Sequence, residues 1–261
     1  MKKIALITGA TAGIGESTAR IFAENGWNVI ITGRRQDRLE KLESELSHKG
    51  VKVLILCFDV RNNDEVRESL GALPDEWKSI DLLVNNAGLA AGFGSIEEGD
   101  TDNWDRMIDT NVKGLLYVSR MILPGMKSRK SGHVINIGST AGKETYKGGN
   151  VYCATKHAVD SLTKAMRIDM LPYGIKVTGI CPGAAETEFS LVRFDGDAEK
   201  AKSVYNGYEP MTPEQIAEVI WYAANTPANL CLNDIVLTSL AQANSFYIEK
   251  IDLSESLTSF E

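Results

Sequence analysis

Tyr152 and Lys156 stand four residues apart in a segment running from about Asn150 to Leu171, a spacing that puts both on one face of a helix. A phenol ordinarily ionises near pH ~10, and an ammonium beside it favours the phenolate. Such a pair can take a proton from a substrate oxygen or return one. Upstream lie Asn111, in Asp109-Thr110-Asn111-Val112-Lys113-Gly114, and Ser139, in Ile137-Gly138-Ser139-Thr140-Ala141-Gly142. Earlier still comes Thr8-Gly9-Ala10-Thr11-Ala12-Gly13-Ile14-Gly15. Its glycines allow a tight turn and close approach of backbone to a pyrophosphate, and a helix opening near Ile14 offers free N–H groups and its positive end. Either motif alone arises by chance in many chains. Together and in this order they fit proton-coupled hydride transfer with a nicotinamide.

These residues need a frame to hold them. Short apolar runs at Ile4–Thr8, Val29–Thr32, Val51–Phe58, Leu82–Val84, Val134–Ile137, Ile175–Ile180 and Ile235–Leu237 read as buried strands. Amphipathic segments separate them, most plainly Gln36–Lys49, where Leu39, Leu42 and Leu46 recur at helical spacing. The alternation predicts an α/β chain, a Rossmann-like doubly wound seven-stranded parallel sheet with helices on both faces. Ligands of such sheets bind beyond the carboxyl ends of the strands, where every motif above falls. The 261 residues read as one domain, with a substrate lid at about 184–210 and a C-terminal tail at about 239–261.

Composition narrows the function. A net charge of −7 with scattered basic residues argues against nucleic acid as a partner. No run approaches the ~18 apolar residues of a membrane span. The charged start at Lys2 and Lys3 leads into a short apolar run and the glycine turn, which reads as a first strand and not as a signal peptide. Cys57, Cys153, Cys181 and Cys231 are far apart with no C-x-x-C pair, which fits a reducing cytoplasm. His48, His133 and His157 have no ligand spacing, so no metal is expected.

The second strand ends Ile31-Thr32-Gly33-Arg34-Arg35, where an NAD enzyme would place a carboxylate on the adenosine ribose. Gly33 removes that repulsion, and Arg34 and Arg35 can bind a 2′-phosphate, so the expected cofactor is NADP (NADPH). The blander reading is that both arginines are solvated residues at a helix start.

The T-G-x-x-x-G-x-G turn with Asn111, Ser139, Tyr152 and Lys156 resembles the short-chain dehydrogenase/reductase family over nearly the whole chain. The resemblance implies that Gly9, Thr11, Ala12, Gly13, Ile14 and Gly15 cradle the pyrophosphate. It implies that Asp59 and Val60 border the adenine, that Asn86, Ala87 and Gly88 floor the site, and that Pro182, Gly183 and the Thr187 hydroxyl hold the nicotinamide end. By the same resemblance Tyr152 is the general base in alcohol oxidation, Ser139 holds the substrate oxygen and Lys156 also binds the nicotinamide ribose. Asn111 kinks its helix and frees a carbonyl for a water that connects Lys156 to solvent. Thr140 competes with Ser139 for its role, and Asn111 and Asn86 also have purely structural readings.

The stretch Glu186-Thr187-Glu188-Phe189-Ser190, with Val192-Arg193-Phe194, is similar to the NADP-dependent 3-hydroxy acid dehydrogenases, a branch that includes serine and allo-threonine dehydrogenases. The small-molecule substrate implied is a 3-hydroxy acid, with Arg193 contacting its carboxylate beside Ser139 and Tyr152, or else ordering a loop or an interface. Ala184 and Ala185 are smaller than this branch suggests. Alternatives are a carbonyl reductase of other substrates, such as 3-oxoacyl thioesters or sugars, and a non-catalytic NADP-sensing or scaffold protein. Apolar residues on more than one side of Asn103–Lys127 and Asn150–Leu171 fit a homo-oligomer, and the family's habit is a tetramer through these helices.

Overall fold

The structure is a computed structural model that describes residues 2–250. Seven strands form one parallel sheet: β1 (Ile4–Ile7), β2 (Asn28–Gly33), β3 (Val53–Cys57), β4 (Leu82–Asn85), β5 (His133–Ile137), β6 (Lys176–Pro182) and β7 (Asp234–Leu237). Their spatial order is β3-β2-β1-β4-β5-β6-β7, so the chain reverses direction across the sheet between β1 and β4. That reversal opens a crevice at the strand carboxyl ends. The helices are α1 (Gly13–Glu24), α2 (Gln36–Ser47), α3 (Asn63–Gly71), α4 (Thr101–Ile108), α5 (Leu115–Arg129), α6 (Asn150–Met170), α7 (Glu188–Arg193), α8 (Ala198–Ser203) and α9 (Pro213–Ala224).

Alternation along the strands divides the core in two. Ala5, Ile7, Val29 and Ile31 face one layer, where Phe22 of α1, Leu39 and Leu46 of α2, and Ile216 and Ile220 of α9 are buried. Ile4, Leu6 and Ile30 face the other, with Val66 of α3, Val118 and Ile122 of α5, and Val159 and Met166 of α6. Each fully buried side chain of this size contributes about 1.5–3 kcal/mol, so both faces of the sheet are firmly covered. Two of the expected buried strands are not fully buried. β3 and β7 are the sheet's edges, and their residues are largely half-buried or exposed.

One expected helix is divided, and two other segments gain internal structure. The segment read as one helix over Asn103–Lys127 is α4, a wide π-type turn at Asp109–Gly114, and then α5. The lid segment holds two short helices, α7 and α8. Residues 239–250 of the tail fold back on themselves, with the Glu249 N–H donating to the Ala241 carbonyl at 2.8 Å and a bridge pairing Gln242 with Ile248. The rest of the tail, 251–261, lies outside the described residues.

Candidate active site

The glycine turn between β1 and α1 sits against the end of β4. Gly9 has φ +68°, and a Cβ there would come within 2.9 Å of the Ala87 Cα. A Cβ on Gly15 would lie 2.4 Å from both Asn86 Nδ2 and the Gly9 carbonyl. Asn86 locks this contact by donating from Nδ2 to the Thr8 carbonyl at 2.8 Å and to that of Gly9 at 3.2 Å, a structural role that is plain in the geometry. Ala12, at the start of α1, has no side-chain acceptor, so the first N–H groups of this helix have no side-chain cap. A glycine cradle with uncapped N–H groups at the positive end of a 12-residue helix fits a pyrophosphate.

Arg34 and Arg35 differ in their surroundings. Arg34 is 58% exposed at its side chain, with Asp59 3.8 Å away. Arg35 is engaged: Nε and Nη2 donate to Thr11 Oγ1 at 3.2 and 2.9 Å, and Nη1 donates to Glu188 at 2.9 Å. Arg38, which sequence reasoning passed over, donates to the other Glu188 oxygen at 2.6 Å. Burial works to raise the Glu188 carboxyl, but the two guanidiniums hold it below the usual range. The first helix of the 184–210 segment is therefore fastened to the start of α2. Asp59 is likewise held low, its burial outweighed by bonds from Arg61 at 2.6 and 2.9 Å.

The π-type turn at Asp109–Gly114 buries Asn111. Its Oδ1 accepts from the Leu89 N–H at 2.8 Å, and its Nδ2 donates to the Leu89 carbonyl at 2.8 Å and to Thr155 Oγ1 at 3.0 Å. Thr155 in turn donates to the Tyr152 carbonyl at 2.8 Å. Asn111 thus ties the segment after β4 to the helix bearing Tyr152. A Cβ on Gly88 would start 3.2 Å from Asn111 Oδ1 and 3.6 Å from Lys156 Nζ, so these groups share one small space kept open by a glycine. Ser139, at the end of β5, accepts the Ala141 N–H at 3.1 Å and lies close enough to the Tyr152 phenol to pull its pKa down.

Lys156 is buried, and its Nζ donates to the Ile137 carbonyl at 2.9 Å. Burial pushes it down to about 8. Burial also pushes the Tyr152 phenol up, Tyr146 adds to this, and Ser139 and Arg193 oppose it. The expected phenolate counts on Lys156 together with the positive charge of an oxidised nicotinamide, and burial of the phenol opposes it. The Lys156 Nζ is 6.0 Å from the Tyr152 ring centroid and bonds a backbone carbonyl, and desolvation dominates the phenol.

One cavity of about 480 Å³ joins the glycine turn, Arg34, Asp59, Val60, the Asn86-Ala87-Gly88 floor, Ser139, Tyr152, Lys156 and the lid. This volume lies in the ordinary range for a cofactor or substrate site. Thr11, Ala12, Gly13, Ile14, Pro182, Gly183 and Thr187 also line it. Thr187 caps α7, its hydroxyl accepting the Phe189 N–H at 3.1 Å. Arg193, at the other end of α7, enters the cavity with its guanidinium 5.7 Å from the Tyr152 ring, 5.0 Å from Phe93 and 5.5 Å from Tyr146. Its Nε and Nη2 are buried without a partner among the described residues. Gln242, also missed from sequence, accepts the Ala184 N–H at 2.8 Å and fills the space beside Gly183, fixing the backbone near the two alanines. Among the described residues no helix is long and apolar enough to cross a membrane, and no His, Cys, Asp and Glu group could hold a metal ion.

Known proteins resemble this chain in sequence and fold. A family model described as short chain dehydrogenase matches residues 3–196. The chain is 48% identical over 241 residues to NADP-dependent 3-hydroxy acid dehydrogenase YdfG of Salmonella typhi, covering 92% of this chain and 96% of the relative. It is 41% identical to sulfoacetaldehyde reductase 2 of Chromohalobacter salexigens, covering 95% and 98%. A solved structure of serine dehydrogenase, in a closed form complexed with NADP+, superposes with a TM-score of 0.90 at 46% identity, covering 93% of this chain and 97% of that one.

Proposed function

The chain belongs to the short-chain dehydrogenase family, and we propose that it is an NADP-dependent oxidoreductase of small 3-hydroxy acids such as serine, allo-threonine or 3-hydroxyisobutyrate. The observation that carries the substrate class is Arg193, a cavity-lining cation beside Tyr152 with two buried side-chain nitrogens that have no hydrogen-bond partner among the described residues. Buried donors left unpaired are costly, and a guanidinium matches a carboxylate better than any neutral group. The printed names of the relatives, a hydroxy acid dehydrogenase and a reductase of a sulfonated aldehyde, support an anionic substrate.

Residues of the glycine turn would hold the pyrophosphate, Arg34 and Arg35 the 2′-phosphate, Lys156 the nicotinamide ribose, and Thr187 the carboxamide. NADP+ when bound supplies the hydride acceptor and a positive charge that favours the Tyr152 phenolate. Ser139 fixes the substrate oxygen while Tyr152 takes its proton during oxidation and returns it during reduction. Asn111 and the widened turn around it keep Lys156 connected to solvent. Lid closure over the site excludes water, with Phe189 packed against Tyr152 at 5.4 Å between ring centroids.

Initial rates followed by nicotinamide absorbance test this reading, with NADP+ and NAD+ each supplied with L-serine, 3-hydroxypropionate, 3-hydroxyisobutyrate and a neutral secondary alcohol. Turnover of the acids with NADP+, and a KM rise in Arg193→Ala confined to the acids, are expected. An equal KM rise for the neutral alcohol would remove Arg193 from substrate recognition. Reduction of neutral ketones alone would favour the carbonyl reductase reading. The protein also forms a homo-oligomer in this reading, supported by exposed Ile168 in α6 and Leu171 just after it, and a tetramer is what the family's habit implies. Sedimentation measures its mass directly.

A further inference from the structure

Part of the cavity wall comes from two segments distant in sequence: the stretch between α8 and α9, and the stretch after β7. They touch, since a Cβ on Gly207 would lie 3.2 Å from that of Lys250. Most polar groups along this wall are paired. The Tyr205 hydroxyl bonds Ser190 Oγ at 2.8 Å and the Ala185 carbonyl at 2.8 Å, and Gln242 bonds the Ala184 N–H and the Asn244 carbonyl.

Two hydroxyls are exceptions. Tyr208 is 5% exposed and lines the cavity, yet its hydroxyl has no partner among the described residues. Ser245 lines the same cavity, and its Oγ is buried and equally without a partner, although its N–H donates to Glu144 at 3.2 Å. A buried hydroxyl that bonds nothing destabilises the chain that carries it, and folded proteins rarely keep one without use. A phenylalanine and an alanine would fill these places at lower cost.

We propose that Tyr208 and Ser245 are specificity-determining residues whose hydroxyls bond a polar substituent of the substrate other than the carboxylate. The proposal rests on the reading that the cavity takes a small 3-hydroxy acid held by Arg193. Each hydroxyl can donate or accept. The pair therefore suits an amino or hydroxyl group on the carbon between carbinol and carboxylate, and offers nothing to a hydrogen there. Discrimination follows from leaving polar groups unpaired when that substituent is missing.

Tyr208→Phe removes one oxygen and keeps the ring. For L-serine and glycerate, kcat/KM should fall by about 10–100-fold through KM. For 3-hydroxypropionate, which has only hydrogen at that carbon, it should stay within about twofold, as should the Kd for NADPH. The ligand-free variant should melt no lower than the parent, because the lost oxygen had no partner. Ser245→Ala should repeat the pattern more weakly. A common fall for all three acids, or a lower melting temperature, would assign Tyr208 to packing and sink the proposal, as would no change for serine. If the parent protein oxidises none of these acids, the hydroxy acid reading itself fails and takes this inference with it. Failure in the variant alone leaves that reading standing.

Discussion

Replacing Lys156 with methionine should make the protein more stable while abolishing turnover. The side chain is 6% exposed, and burial lowers its pKa from 10.5 to about 8. A drop of that size means that holding the ammonium in the fold costs about 3 kcal/mol at neutral pH. Methionine has similar length and no charge. It forfeits the 2.9 Å bond to the Ile137 carbonyl, worth about 1 kcal/mol. The net gain is about 2 kcal/mol, which for a chain of this size raises Tm by roughly 4–8 °C. The pH dependence fixes the cause. Because the folded pKa is depressed, wild-type stability rises between about pH 8 and 10.5, where the unfolded chain is still protonated and the folded one is not. The advantage of Lys156→Met should therefore be full at pH 7 and shrink as the pH approaches 10. Calorimetric or urea unfolding of both proteins at several pH values is the assay. A variant no more stable than wild type at pH 7, or an advantage that does not change with pH, would refute the reasoning.

Other expectations follow from the same geometry. Tyr152→Phe should lose about 10²–10⁴-fold in kcat with NADPH binding intact, as read by nicotinamide fluorescence; a variant that keeps its turnover would remove the phenol from the chemistry. Arg34→Ala should weaken NADP+ by about 10–100-fold and leave NAD+ nearly unchanged, measured as two Kd values whose ratio narrows. His133 is buried with Nδ1 unpaired among the described residues, and burial pushes its pKa down to about 3 from 6.5, with Lys176 adding to the effect. The unfolded chain therefore takes up the proton first, and stability should fall as pH drops from about 6.5 toward 3, by up to ~1.4 kcal/mol per pH unit. The slope should flatten in His133→Gln.

Local signals made much of this readable before any coordinates. The strand runs and the spacing of Leu39, Leu42 and Leu46 report burial directly, so the seven strands and the helices that open at Gln36 and Asn150 are legible to within about two residues. Ser139, Tyr152 and Lys156, singled out by motif and spacing, line one cavity, and Asn111 joins them through Thr155. What escaped depends on three-dimensional adjacency. Glu188 meets Arg35 and Arg38 across 150 or more positions, and nothing local in a polar lid marks that contact. Gln242 and Ser245 reach the cavity only because the chain after β7 turns back. Edge position, which leaves β3 and β7 half covered, is set by sheet order and not by strand composition. The burial that pushes the Tyr152 phenol up is a feature of the same kind: the spacing to Lys156 is visible in sequence, whereas the desolvation is not.

The wide turn at Asp109–Gly114 has a consequence for how this region tolerates change. A regular helix advances about 100° per residue, so an extra residue in one turn shifts the phase of everything beyond it. Met107, before the turn, packs with Leu89, Ala90 and Tyr152, whereas Leu115, Val118, Ile122 and Met126, after it, pack on the sheet. An unbroken α-helix could aim only one of these stripes correctly. Losing a single residue here would rotate α5 against the sheet or α4 away from Tyr152, whereas exchanges at exposed positions of the turn would leave both settings intact. For insertions and deletions this stretch is a frame marker in the mechanical sense: its length sets the phase of both helices.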